Sequence, residues 1–441
     1  MEKKNLVIVG GGSTYTLGMI MSLTREKENF PLKKITFYDI DEARQEKIAK
    51  AAEILLSEHY PELESFNYTT DKATAFSDID AAFVQIRTGG LAMRERDEQI
   101  PVKHGVVGQE TSGAGGMAYG LRSIHDMIEL VNDIRHYSKD AWILNYTNPA
   151  AIVGLALKQE FPDDKRILNI CDMPIAIMKS YADILEKDVW ELVPEYFGLN
   201  HFGWFSKILD KQGNDLTQEL KTKIINGDFI PTDKEIANDE SWIQTFRQAR
   251  QMLIDFPRFL PNTYLQYYLY PDELAKKESP DNTRARQVMN GREKQVHELC
   301  DHIITQQTTK NINVEADIHG VYMIRAAASL VFNLKEVFIV MVENNGVISN
   351  LPHDALVEVP AMLTNDGTKP FSVGDIPTFY KGLIENQHAC EKLVVEAYYE
   401  NSYNKLLQAL TLNRTIVHAP KAKAILDDLI KANKDYWPEL Y

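Results

Sequence analysis

Cys171 and Asp172 stand side by side directly after the apolar run RILNI (166–170), and His201 follows a second apolar run, EYFGL (195–199). A thiolate and an imidazole at neighbouring strand ends can share one divalent metal. Two protein donors fill only part of a coordination shell and leave positions for substrate oxygens. The same residues also read as a small core thiol and a structural hydrogen-bonding histidine, and spacing alone does not choose between the readings. Asp172 adjoins the thiol and can serve as an acid there, or can simply cap the turn at Met173-Pro174. Cys300 and Cys390 fall within helical patterns and read as core residues.

Three further stretches carry polar chemistry. NYTNP follows the apolar WIL (142–144) and brings Asn145 and Asn148 to the same cleft. LPNTYLQYYLYP (260–271) holds Tyr264, Tyr267, Tyr268 and Tyr270, which without other information form an aromatic core or an interface. PDNTRAR (280–286) sets Arg284 and Arg286 near a turn and a helix start; they read as an anion site or as a solvated face.

The elements that must position these groups are legible from periodicity. NLVIV (5–9), a helical stretch from about 14 to 25, and KKITFYD (33–39) form a βαβ unit. Apolar runs at 81–86, 142–146 and 166–170 alternate with helical segments such as 121–137 and 151–159. That alternation predicts an α/β fold with an N-terminal Rossmann-type, doubly wound parallel sheet, of the same plan as the lactate and malate dehydrogenases. From about residue 200 the pattern becomes α+β. Hairpins are expected at 207–216, around Gly213-Asn214, and at 337–351, turning at Asn345-Gly346; long helices are expected at 240–256, 284–307 and 374–410. The predicted domains are 1–195 and 196–441, with the active site in the cleft between them.

Ligands in such sheets bind where strands end. Gly10, Gly11 and Gly12, followed by Ser13 and Thr14, occupy the first strand-to-helix turn, where a missing Cβ lets backbone approach a pyrophosphate. Tyr15 stands where a third glycine would be expected. Asp39 ends the second strand, where an acid accepts hydrogen bonds from a ribose diol and disfavours a 2′-phosphate, so NAD is expected over NADP.

Of 441 residues, 44% are hydrophobic and 25% charged, ordinary values for a globular protein with two domains. A formal net charge of −15 argues against nucleic-acid binding, though a few local arginines can still hold a phosphate. No stretch resembles a membrane span, and MEKKNLVIVGGG lacks the features of a signal peptide. Three cysteines make no disulfide framework, and a cytoplasmic location is expected.

Seven stretches together form a recognisable pattern: VIVGGGSTYT, DEQIPVKHGVVGQET, NYTNPAAIV, NICDMP, GLNHFGW, LPNTYLQYYL and NTRA. With them the chain resembles family 4 of the glycoside hydrolases, and within it the 6-phospho-α-glucosidases that act on maltose 6′-phosphate. The C-terminal ENNG and YWPEL extend the resemblance over essentially the whole chain. The resemblance implies hydrolysis without the usual carboxylate pair. NAD takes hydride from C3, the C2 proton becomes acidic and is removed, the C1–O bond breaks by elimination, water adds and the hydride returns. It also implies that Cys171 and His201 ligate Mn²⁺, that Asp172 is the proton donor and that Tyr264 is the base. Arg94, Asn148 and Arg284 are implied as substrate-binding residues, with Arg284 a phosphate contact. Leu17, Ser112 and Ala114 depart from the pattern, where proline, cysteine and proline are expected; none is catalytic. The expected partners are a phosphorylated disaccharide and further copies of the chain, as a homodimer or homotetramer, with neither nucleic acid nor membrane.

Three other readings differ from this one in particular residues. A 6-phospho-β-glucosidase of the same family usually carries asparagine after the cysteine. An NAD-dependent 2-hydroxyacid dehydrogenase needs no Cys–His metal site. A non-catalytic NAD-binding regulator has no reason to keep Cys171, Asp172, His201 and Tyr264 together.

Overall fold

In the computed structural model of the chain, the described residues are 1–228, 240–314, 316 and 318–441. β1 (Lys4–Val9) lies in the interior of the main sheet, with Leu6 and Ile8 in one core cluster and Val7 and Val9 in another. A strand buried on both faces cannot alternate polar with apolar residues, hence the unbroken run LVIV. β2 (Leu32–Tyr38), β3 (Ser65–Thr69), β4 (Ala81–Val84), β5 (Trp142–Asn145) and β6 (Ile167–Asn169) complete six parallel strands in the order β3-β2-β1-β4-β5-β6. This is the doubly wound parallel sheet expected from the sequence. The strand order reverses between β1 and β4, so the loops leaving these strands diverge and open a crevice.

β7 (Leu192–Leu199) and β8 (Phe202–Asp210) form an antiparallel hairpin turning at Asn200-His201, with β9 (Leu260–Pro261) along β8. β10 (Val337–Glu343), β11 (Leu356–Thr364) and β12 (Gly367–Pro370) are antiparallel and extend the first sheet, β10 meeting β6 through Met341 and Asn169. The nine-stranded sheet therefore draws on both halves of the chain, and position 195/196 falls inside β7.

Of the two expected hairpins, the first forms in short and the second is corrected. β8 ends at Asp210, whose Oδ1 accepts from the backbone N–H groups of Gln212 and Asn214 at 3.0 and 2.9 Å. The return pairs through the backbone, Asp210 N donating to Asn214 O at 3.0 Å and Leu216 N to Ile208 O at 2.9 Å, but amounts to a single bridge between Leu209 and Asp215 before the helix at Thr217. At 344–351 the turn is present, with Asn345 and Gly346 at φ 40° and 88°, but the returning strand is β11. Asn344 Nδ2 donates to the carbonyls of Ile348, Leu351 and Pro352 at 3.0–3.2 Å, so 347–351 coils around that amide instead of pairing with β10.

The helix Glu240–Asp255 is as expected. Residues 284–306 run as Arg284–Val288, a π-helical turn Met289–Glu293, and Lys294–Gln306. The stretch 374–410 divides into Thr378–Glu400 and Tyr403–Leu412, broken at Asn401 with φ 51°. No helix among the described residues is long and apolar enough to cross a membrane.

Candidate active site

The turn after β1 is tied to the end of β2. Gly10 and Gly11 both donate to the Tyr38 carbonyl, at 2.8 and 3.1 Å. Gly10 has φ 84°, and a Cβ on Gly11 would lie 2.6 Å from Phe37 Cβ, so neither position accepts a side chain without strain. Asp39 Oδ2 accepts from Gly12 N at 2.9 Å, which places the expected ribose acid against the glycine turn. Ser13 N donates to Gly10 O at 3.0 Å, Ser13 Oγ accepts from Tyr15 N at 3.3 Å, half-buried Thr14 follows, and the helix begins at Thr16. A bare backbone cradle, a helix start and an acid at one edge fit a dinucleotide.

A second cluster forms where β6 and the β7–β8 hairpin end. Cys171 Sγ lies 3.2 Å from His201 Nε2. His201 occupies the hairpin tip in the left-handed region, φ 58°, which non-glycine residues rarely adopt. Its other ring nitrogen, Nδ1, is 3.2 Å from Thr111 Oγ1. Burial lowers the imidazole to about 4, so it is neutral at pH 7, the form that ligates a metal. Burial also pushes the Cys171 thiol well up, with Asp172 and Glu358 adding to the effect, so ligation must release a proton. One sulfur and one neutral nitrogen converging at this distance fit a single cation. Among the described residues no third His, Cys, Asp or Glu joins them to complete a cluster of protein donors. The remaining positions would belong to substrate or water.

The Tyr264 ring stacks on His201, centroids 4.2 Å apart and planes 22° apart. Asn262 Oδ1 accepts from Tyr264 N at 3.0 Å and fixes the start of this short turn. Burial, then Tyr267 and the nearby Glu110, hold the phenol well above its ordinary value. Asp172 Oδ2 pairs with His319 Nδ1 at 2.9 Å. Burial would raise this carboxyl, but the adjacent His319 outweighs it and brings it down to about 2.

Arg94 is buried in an ionic network, with Nε 2.8 Å from Glu98 Oε1 and Nη1 3.1 Å from Glu110 Oε1. Arg87 Nη1 holds the other Glu110 oxygen at 2.6 Å. Glu98 Oε2 accepts from Ala285 N at 2.7 Å, so the network reaches the helix that begins with exposed Arg284. Tyr267, whose phenol burial pushes up, meets the Tyr264 ring edge-on with centroids 5.6 Å apart. Asn148 Oδ1 is buried without a hydrogen-bond partner among the described residues, an acceptor left for a ligand's donor.

The structure thus brings Cys171, Asp172, His201 and Tyr264 together and links Arg94 to the Arg284 helix. Asn145 is fully buried, donates to Asn169 Oδ1 at 2.9 Å and accepts from Thr147 N at 3.0 Å, and so braces the strand ends. The tyrosine segment faces its own chain, with Tyr268 buried edge-on against Phe202. Arg87, Glu110, Thr111 and His319 were not singled out from the sequence. Glu110 and Thr111 lie in the stretch VVGQET, whose resemblance was the available signal, whereas His319 opens an apolar helix and gives none.

Two family models match in succession: family 4 glycosyl hydrolase over residues 5–187, and family 4 glycosyl hydrolase C-terminal domain over 196–416. The chain belongs to glycoside hydrolase family 4. Among family members, the phospho-alpha-glucosidase PagL of Clostridium acetobutylicum is 50% identical over 446 residues, spanning all of both chains. A crystal structure of a 6-phospho-alpha-glucosidase from gut microorganisms, in complex with NAD and Mn²⁺, is 50% identical and superposes with a TM-score of 0.97 over all of both chains. A second such enzyme, in complex with NAD and glucose 6-phosphate, gives 0.95 at 43% identity, again over all of both chains. By contrast, the 6-phospho-beta-glucosidase BglT of Thermotoga maritima is 31% identical over 98% of this chain and 99% of its own.

Proposed function

We propose that this family 4 chain is a cytoplasmic 6-phospho-α-glucosidase that uses NAD and Mn²⁺ to hydrolyse substrates such as maltose 6′-phosphate to glucose 6-phosphate and glucose. The observation that carries the reading is the Cys171–His201 pair with Tyr264 stacked on the imidazole. The α-linkage rests on the 50% and 31% identities to the α- and β-specific relatives, and on aspartate, not asparagine, after Cys171.

When bound, NAD supplies a reversible oxidation at C3, and Mn²⁺ supplies positive charge that acidifies the C2 proton and lowers the Tyr264 phenol. Gly10–Gly12, Ser13, Thr14 and Asp39 would hold the dinucleotide, and Cys171 and His201 the metal. Tyr264 takes the C2 proton; its stacking on His201 fixes the phenol beside the metal position. Asp172, held by His319, delivers the proton to the glycosidic oxygen as the C1–O bond breaks. Arg284 and Arg94 orient the phosphosugar and Asn148 accepts from a sugar hydroxyl. Residues 1–195 carry the cofactor and 196–441 close the cleft over the substrate.

Incubating the protein with maltose 6′-phosphate and with cellobiose 6′-phosphate, each with and without Mn²⁺ and NAD, tests the reading. Glucose 6-phosphate should form from the maltose derivative when both cofactors are present. Preference for the cellobiose derivative would move the chain to the β class. Stoichiometric NADH release on a 2-hydroxyacid would make it a dehydrogenase.

A further inference from the structure

The dinucleotide turn is held from outside its own half of the chain. A Cβ on Gly12 would meet Arg44 Cγ at 2.9 Å and Asp39 Oδ2 at 3.0 Å, so Arg44 and the ribose acid flank the same glycine. Arg44 Nε donates to Gly12 O at 3.0 Å. Its Nη2 lies 3.0 Å from Glu293 Oε1, which comes from the π-helical turn Met289–Glu293. In the same turn, Arg292 sits over the Tyr15 ring, 3.6 Å from the centroid. Two successive residues of the second half therefore grip the glycine turn on Arg44 and Tyr15.

An arginine beside the ribose acid is the group that accommodates a 2′-phosphate in NADP-dependent folds. Here its guanidinium is engaged by one carbonyl and one carboxylate. We infer that Glu293 is a second determinant of dinucleotide choice: by neutralising and holding Arg44, it denies a 2′-phosphate the cation that could otherwise receive it. Asp39 repels the phosphate directly, and Glu293 removes the compensating charge. The inference rests on the NAD reading of the glycine turn and extends it to a residue outside the Rossmann-type sheet.

The test measures dissociation constants for NAD and NADP by calorimetry on the full chain freed of nucleotide. Asp39→Asn serves as the background, so that NADP binding is strong enough to measure. Adding Glu293→Gln should lower the ratio of the NADP to the NAD constant at least tenfold. Adding Arg44→Gln to that pair should return the ratio to the Asp39→Asn value. A ratio unchanged by Glu293→Gln, equal weakening of both dinucleotides, or a gain that survives loss of Arg44 would each overturn the inference. Failure of the unaltered chain to bind NAD at all would instead refute the cofactor reading.

Discussion

At the scale of single residues, the proposed metal centre depends on two side chains that arrive from different strands. Cys171→Ser keeps nearly the same size but exchanges a thiol that can ligate as an anion for a hydroxyl that stays neutral. Manganese affinity should fall at least tenfold, about 1.4 kcal/mol, by calorimetric titration; unchanged affinity would remove Cys171 from the site. Asp172 is probed through its leaving group. An alkoxide needs a proton as it departs, and nitrophenolate does not. Asp172→Asn should slow maltose 6′-phosphate by about 10²–10⁴-fold and a p-nitrophenyl 6-phospho-α-glucoside far less. Equal losses on both substrates would mean that Asp172 only supports metal or cofactor. Cys171 and His201 were marked out by standing after predicted strand ends, whereas their proposed roles and that of Tyr264 came from the family resemblance of NICDMP, GLNHFGW and LPNTYLQYYL. The His319–Asp172 pair was not legible, since it exists only once the helix Ile318–Phe332 lies against the end of β6.

At the scale of elements, periodicity located five of the six parallel strands, each an apolar run, and missed β3, whose sequence SFNYT lies only partly buried at the sheet edge and makes no such run. It misplaced the return of the hairpin expected at 337–351, because the Asn344 side chain takes the carbonyls of the following coil and the strand resumes only at Leu356. Burial of charge inside an element has a measurable consequence in the helix Thr378–Glu400. Glu391 is buried there, its Oε1 accepting from Gln387 Nε2 at 2.8 Å, and burial pushes its carboxyl up to about 8. The folded state therefore favours the protonated acid. Stability from this group is fully present below its ordinary value of 4.5 and is lost as pH rises toward about 8. Glu391→Gln, neutral at every pH, should melt near the parent at pH 5 and progressively above it between pH 6 and 9. Parallel melting curves across that range would contradict the assignment.

At the scale of the molecule, the two halves are joined by one sheet, which the sequence did not reveal because strand order is not encoded in local periodicity. The tyrosine segment once available as an interface is packed within its own chain. Leu334, Val337 and Phe371 nevertheless remain substantially exposed around β10–β12. A homodimer or homotetramer is expected, and multi-angle light scattering at micromolar concentration checks it; a monomer would contradict the expectation. The central claim is that the glycosidic bond breaks by elimination after Tyr264 removes the C2 proton, not by displacement at C1. The direct measurement is hydrolysis of maltose 6′-phosphate in D₂O with NAD and Mn²⁺, followed by NMR of the glucose 6-phosphate. The account predicts deuterium at C2 and loss of most of the rate in Tyr264→Phe. Product formed at full rate with C2 unlabelled would contradict it.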